Sequence, residues 1–301
     1  MADTLAQLRE ELAVANQILA HENVVDAFGH ISMRHPEHPD RYLISTYRAA
    51  ERVVASSIVE LTLDSEHIHP FEGRMYSELV IHGEVYKARP DINSVCHHHA
   101  ISVMPFCIAG IDLVPVMHLG ATMGETVPFW DSRDEFGDTR LLVTKPEEGA
   151  SMARALGPHW TVLLRRHGAT VGGRSLRECV FRSIYGCRNA ELQSQSMAMG
   201  RLDRQARLSR GEIEMCADGS LNERTLWRAW DYWSGRLPPR PAGTRPAARA
   251  TGSGSGGKSR AAKPATGRVR TTKVAGKPAR KGRSGSKTAG ARRPTTGRKR
   301  R

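Results

Sequence analysis

Acidic residues are missing from the last fifth of this chain. From Arg240 to Arg301 there are 20 Lys and Arg and not one Asp or Glu. The formal charge of +14 over 301 residues is therefore the sum of two unlike parts. Met1 to Pro239 holds the other 25 basic residues and all 31 acidic ones, a net of −6. A basic nucleic-acid-binding body is excluded, and each part needs its own charge argument. Aromatics are also absent after Pro239, and only two valines remain there. Such a stretch cannot bury enough apolar surface to offset its ordering entropy, so residues 238–301 are expected to be a disordered basic tail. No C-x-x-C occurs among the five cysteines, and their number is odd, which argues against a disulfide framework and fits a reducing cytoplasmic setting. No run approaches the roughly 20 apolar residues of a membrane span. The opening MADTLAQLREELAV carries acids and lacks the apolar core of a signal peptide.

What is present reads as one α/β domain over residues 1–237. Leu5, Leu8, Leu12, Ala15 and Leu19 recur at helical spacing behind a cap at Asp3 or Thr4. Phe28-Gly29-His30-Ile31-Ser32-Met33-Arg34 is a glycine turn running into a short strand, with Arg41–Ser45 as its hairpin partner. Residues 75–89 predict a helix that stops before Pro90. Ile92–His99 and Thr161–His167 predict strands. Ser175-Leu176-Arg177-Glu178 is a capping box opening a helix to about Gly200. A last helix near Leu221–Trp233 carries Trp227, Trp230 and Trp233, all expected to pack on the core.

The chemistry concentrates in Ser94-Val95-Cys96-His97-His98-His99-Ala100. Alternate side chains on a strand share a face, so His97 and His99 point one way, with Cys96 and His98 the other. Two imidazoles on one face make a bidentate site for Zn²⁺ or a similar divalent ion. Three adjacent histidines also fit a merely polar strand edge. His167, at a strand end before Gly168, is the candidate third ligand, though a lone His before Gly also serves structural roles. Three histidines would leave a coordination position open, as catalytic sites do. Glu78, one helical turn before His82, is either a solvated carboxylate at a helix start or a proton-transfer group beside a metal.

GHISMR at 29–34, SELVIHGEVYKARPDINSVCHHHA at 77–100 and LLRRHGATVGGRSLRECVFRSIYGCRNAELQ at 163–193 resemble, in order and spacing, the signature blocks of the class II aldolase/adducin family. The resemblance covers roughly residues 5–200. It implies a three-layer α/β/α domain with a central, mainly antiparallel sheet, and a homotetramer with active sites at subunit interfaces. It implies metal ligation by His97, His99 and His167, with Glu78 as proton-transfer group and resting-state ligand. Adducin-type members without enzymatic activity lack these histidines, so the resemblance points to an enzyme, a metal-dependent lyase. The ion would be Zn²⁺, or Mn²⁺, Co²⁺ or Fe²⁺.

A Lewis-acidic ion beside the bond being cut serves decarboxylation and aldol cleavage alike, through a metal-stabilised enolate. Two departures from the sugar-phosphate aldolases bear on the choice. Gly29-His30 stands where those enzymes have Gly-Asn, and Ile44-Ser45-Thr46-Tyr47-Arg48 replaces their phosphate loop. His30 and Arg48 can instead receive a carboxylate. The resemblance is closest to the branch acting on hydroxy-carboxymuconic semialdehydes and dihydroxyphthalates, to which Pro115–His118 and Pro128–Asp131 also conform. The expected activity is therefore decarboxylation of a hydroxy- or oxo-carboxylic acid from aromatic degradation, with aldol cleavage as the alternative. Gly29, His30, Ser45, Arg48 and Ser77 are expected around the substrate, and His118 is a second candidate acid/base group. Residues 240–301 resemble the arms of histone-H1-like proteins. They fit binding of nucleic acids or other polyanions by charge alone, and fit equally a merely solubilising extension. A competing reading is a non-catalytic oligomeric body that carries this nucleic-acid-binding tail.

Overall fold

A computed structural model describes residues 4–200 and 207–239. The basic segment from Arg240 onward, with its expected disorder and polyanion binding, lies outside the described residues, as does Asp3. The chain opens with α1 (Leu5–His21), capped by Thr4 in a reciprocal box with Gln7. The strands β1 (His30–Arg34), β2 (Arg41–Ser45) and β3 (Ile58–Thr62) follow, then α2 (Val80–Ala88), β4 (Ser94–His98) and α3 (Met104–Ala109). Next come β5 (Phe129–Trp130), α4 (Arg133–Phe136), α5 (Pro146–Leu156), β6 (Thr161–Leu164) and β7 (Gly168–Gly173). Three helices close the described chain, α6 (Leu176–Ala198), α7 (Arg210–Ser220) and α8 (Glu223–Gly235).

The strands form one seven-stranded sheet in the order β3-β2-β1-β4-β7-β6-β5, antiparallel throughout except for the β5–β6 pair. Period-two alternation sorts its side chains into two cores. Ile31, Leu43, Cys96, Leu163, Ala169 and Val171 pack with α1, α6 and α8. Tyr42, Ile44, Val95, Val162 and Leu164 pack with residues of α2 and α5. The expected three-layer α/β/α arrangement is thus present. Cys96 lies in the first core and is a free thiol, as are the other four cysteines.

Several local expectations need correction. The helix expected over 75–89 begins at Val80. Tyr76 is drawn away from a helical path by its hydroxyl, which shares a 2.7 Å hydrogen bond with Ser45 Oγ and donates to the Arg48 carbonyl at 2.9 Å. The strand expected to reach His167 stops at Leu164, because Arg166 adopts φ +52° and the His167 N–H turns back to the Leu164 carbonyl. Ser175 caps α6, but Glu178 does not complete the box. Its carboxylate accepts from Arg182 Nε and Nη2 at 2.9 and 2.6 Å, and from Arg174 Nε at 3.1 Å. Trp230 and Trp233 are buried as expected, whereas Trp227 is 47 % exposed and lies under the Arg177 guanidinium. The sequence reading overlooked α7.

Candidate metal centre

The site forms where strand ends meet. His97 is the fourth residue of β4 and pairs in register with His30 of β1 on one side and Thr170 of β7 on the other. It shares the sheet face of Val95, toward α2. His99 follows one residue beyond the strand. His167 sits in the β6–β7 turn, where Gly168 is needed: a Cβ there would run into the His98 carbonyl and the His99 ring. Gly29, at φ +94°, performs a similar service on the other flank, since a Cβ would stand 2.7 Å from Val25 and 3.0 Å from the His97 carbonyl. Glu78 occupies the turn just before α2.

Four expected residues converge. Ligand atoms of Glu78, His97, His99 and His167 all lie within 4.8 Å of one another. His97 Nε2 is 3.0 Å from His99 Nε2, which is 3.1 Å from His167 Nε2. The Glu78 carboxylate reaches to 3.8 Å from His97 Nε2 and 3.5 Å from His167 Nε2. Nitrogens around one tetrahedral Zn²⁺ at about 2.0–2.1 Å are roughly 3.3 Å apart. The His97–His99 and His99–His167 pairs are therefore already close to the spacing that a shared cation requires. A protein-only arrangement is poorer, because both contacts meet at His99 Nε2, whose single lone pair would have to serve two donors.

The environment disfavours the charged form of His97 and His99. Burial pushes His97 well below the ordinary histidine range, and the neighbouring His167, His99, His30 and His98 push it further. Burial also lowers His99, with His167 lowering it further and Glu78 opposing. A neutral imidazole is the form that binds a metal. Outer contacts fix two of the members. His97 Nδ1 is 3.1 Å from Thr170 Oγ1, and Glu78 Oε1 accepts the Val143 N–H at 2.9 Å. His167 Nδ1 is buried and has no hydrogen-bond partner among the described residues. The donor set, three imidazoles and a carboxylate, suits a divalent transition ion.

The remaining expected residues divide. His30 is buried, with its ring 5.6 Å from that of His97 and 4.6 Å from that of Tyr76. Ser45 is buried and bonded to Tyr76. Arg48 and Ser77 are exposed, and neither joins the group of four. His118 opens a short 3₁₀ turn and is likewise exposed and outside that group. His98 points away as expected, buried, with its Nδ1 3.4 Å from the Ala100 amide. The sequence reading missed Thr170 and the Val143 amide. Thr170 could have been found from its register opposite His97, but a backbone donor such as Val143 N–H leaves no signature in residue type.

Comparison with known proteins agrees with this architecture. Residues 10–194 match the family described as Class II Aldolase and Adducin N-terminal domain. The chain belongs to that family. Among curated relatives, decarboxylase tropJ of Talaromyces stipitatus is 31% identical over 242 residues, spanning 72% of this chain and 88% of that protein. The 3,4-dihydroxyphthalate decarboxylase of Arthrobacter keyseri is also 31% identical over 242 residues, with 75% and 93% covered. Human gamma-adducin is more distant, at 24% identity over 210 residues and 28% of its length. Among solved structures, the L-fuculose 1-phosphate aldolase from Glaciozyma antarctica PI12 has the same fold, with TM-score 0.65 and 19% identity over 79% of this chain and 92% of that one. Among the described residues, no helix is long and apolar enough to cross a membrane.

Proposed function

We propose that this chain is a metal-dependent carboxy-lyase acting on a hydroxy- or oxo-carboxylic acid of the kind met in aromatic degradation. His97, His99 and His167 would hold the ion. The observation that carries the metal assignment is the convergence of three Nε2 atoms at 3.0 and 3.1 Å beside a buried carboxylate. The nitrogen-rich donor set suits Zn²⁺, and also accommodates Mn²⁺, Co²⁺ or Fe²⁺. When bound, the ion supplies Lewis acidity toward an oxygen next to the bond being broken.

The chain's own side chains do the rest. Glu78, anchored through one oxygen by the Val143 amide, is placed to complete the ligand set or to hold and return a proton. His30 and Arg48 would receive the substrate carboxylate, with Gly29, Ser45 and Ser77 lining the approach, and His118 would be a second proton-transfer group. Decarboxylation is favoured over aldol cleavage by similarity to proteins named as decarboxylases across more than 70% of this chain. Assembly as a homotetramer belongs to the same proposal. It is supported by large apolar side chains left bare beside the site, Phe28 just before Gly29 and Ile101 just after Ala100, 63% and 85% exposed. The basic arm, with its 20 cationic residues, would bind polyanions in a salt-sensitive way, and a chain ending at Arg236 would lose that retention.

The deciding assay measures CO₂ release against aldehyde release by the metal-loaded protein. The panel contains hydroxy-carboxymuconic acids, dihydroxyphthalates and sugar phosphates. CO₂ from an aromatic or muconic acid is expected. Aldehyde release alone would move the activity to aldol cleavage, and turnover of none by fully loaded protein would overturn the enzyme reading.

A further inference from the structure

Behind the metal centre, four buried groups form an unbranched hydrogen-bond chain. His30 Nδ1 is 2.6 Å from His82 Nε2, His82 Nδ1 is 2.7 Å from Ser32 Oγ, and Ser32 Oγ is 2.7 Å from Tyr86 OH. Two short-range regularities build it. His30 and Ser32 alternate on one face of β1, and His82 and Tyr86 are one turn apart on α2. All four residues are at most 4% exposed.

The direction of the protons in this chain follows from its far end. Burial raises the Tyr86 phenol well above its ordinary value, so it keeps its proton, and its only hydrogen-bond partner among the described residues is Ser32 Oγ. If Tyr86 accepted from Ser32, its own buried O–H would have nowhere to go, at a cost of about 1–3 kcal/mol. Tyr86 therefore donates to Ser32. The single Ser32 proton must then go to its other partner, His82 Nδ1. Burial holds His82 down at about 3, so the ring is neutral and has one proton left to place, on Nε2. That proton points at His30 Nδ1, which must be bare.

We infer that Tyr86, Ser32 and His82 are positioning residues that set the tautomer of His30, presenting its Nε2–H as a fixed hydrogen-bond donor beside the metal centre. His30 Nε2 makes no hydrogen bond among the described residues, on a ring 5.6 Å from that of His97. A neutral donor of fixed direction suits a carboxylate oxygen, and it cannot act as a base while the chain keeps this polarity. That the donor meets substrate rests on the carboxylate-binding role proposed for His30. The proton order does not.

The test uses full-length protein labelled with ¹⁵N-histidine and loaded with zinc, observed by long-range ¹H–¹⁵N correlation and assigned with His30→Gln and His82→Gln. Both rings should carry hydrogen on Nε2 and none on Nδ1. A proton on Nδ1 of either ring overturns the inference. Tyr86→Phe removes the proton that orders the chain, so the nitrogen shifts of both rings should move toward a tautomer average, and unchanged shifts would also overturn it. The wild-type spectrum decides the matter even if that variant folds poorly. With a carboxylate that the enzyme turns over, Tyr86→Phe should raise KM about 3- to 10-fold and change kcat less than about 2-fold. His82→Gln, whose amide can accept from Ser32 and donate to His30, should stay closer to wild type than His82→Leu. Equal losses in those two would count against the relay. If no carboxylate is turned over, the functional proposal fails while the nitrogen spectra still decide the proton order.

Discussion

His99 and His167 stack with their rings 17° from parallel and 5.0 Å between centroids, although 68 residues separate them. Their Nε2 atoms are brought to 3.1 Å, a separation at which two ring nitrogens need a proton or a cation between them. Purified protein should accordingly carry about one divalent ion per chain, and His99→Ala or His167→Ala should lower the content to less than about a tenth of that. Elemental analysis of the variants decides it, and full retention in both would refute the ligand assignment. Chelation should abolish turnover, and readdition of Zn²⁺, Mn²⁺, Co²⁺ or Fe²⁺ should restore it.

Thr170 bears on His97 from the side away from the cluster. Thr170→Val keeps the shape and removes the hydroxyl from His97 Nδ1. Metal affinity should fall roughly 10- to 100-fold, the usual effect of losing an outer partner of a ligating histidine. Competition against a fluorescent chelator measures this, and an unchanged affinity would show that the hydroxyl does not orient the ring.

Gly168 tolerates no side chain, because the atom it would meet is the His98 backbone. Gly168→Ala should cost about 2–4 kcal/mol and lower metal occupancy with it. Denaturant titration together with metal analysis tests the coupling. A stable variant that merely loses metal would show that the β6–β7 turn can shift as a unit.

Arg182 and Glu178 form an ion pair beneath the sheet, with side chains 2% and 5% exposed. Removing one partner leaves a buried charge unpaired, so Glu178→Ala should destabilise the fold by about 3–5 kcal/mol. Metal stoichiometry of the surviving folded protein should not change, since neither residue belongs to the cluster.

Acid should weaken the fold before carboxylate protonation begins. Burial holds His82 and His98 at about 3 in the folded chain, against 6.5 for the free group. Both are neutral in either state above about pH 6.5, so their contribution is fully present there. As pH falls from 6.5 toward 3, only the unfolded chain takes up these protons, and stability drops by about 1 kcal/mol or more per pH unit. Urea titrations at pH 7.5, 6 and 5 should show midpoints falling in that order. A flat profile would mean that these rings are not held neutral.

Much of the site was legible in residue order, because period-two alternation sorts His97 from His98 with no further information. The three-layer fold followed from the resemblance more than from periodicity, since strands of four to six residues resist assignment one at a time. What escaped notice depended on partners distant in sequence. Glu178 reads locally as half of a capping box, yet the buried Arg182 claims its carboxylate. The end of β6 is set by the left-handed Arg166, a conformation that arginine does not announce. Residues 75–79 fit a helical pattern until Tyr76 finds Ser45, 31 positions earlier.

The wide separation of the four converging side chains has a mechanical meaning as well. An ion held by the turn before α2, the end of β4 and the β6–β7 turn would cross-link segments that the polypeptide itself leaves far apart, acting much as a reversible staple. Because the unfolded chain cannot assemble that set, resistance to unfolding would rise with the logarithm of free ion concentration above the dissociation constant. Starvation for the ion would then erode the lifetime of the protein as well as its turnover.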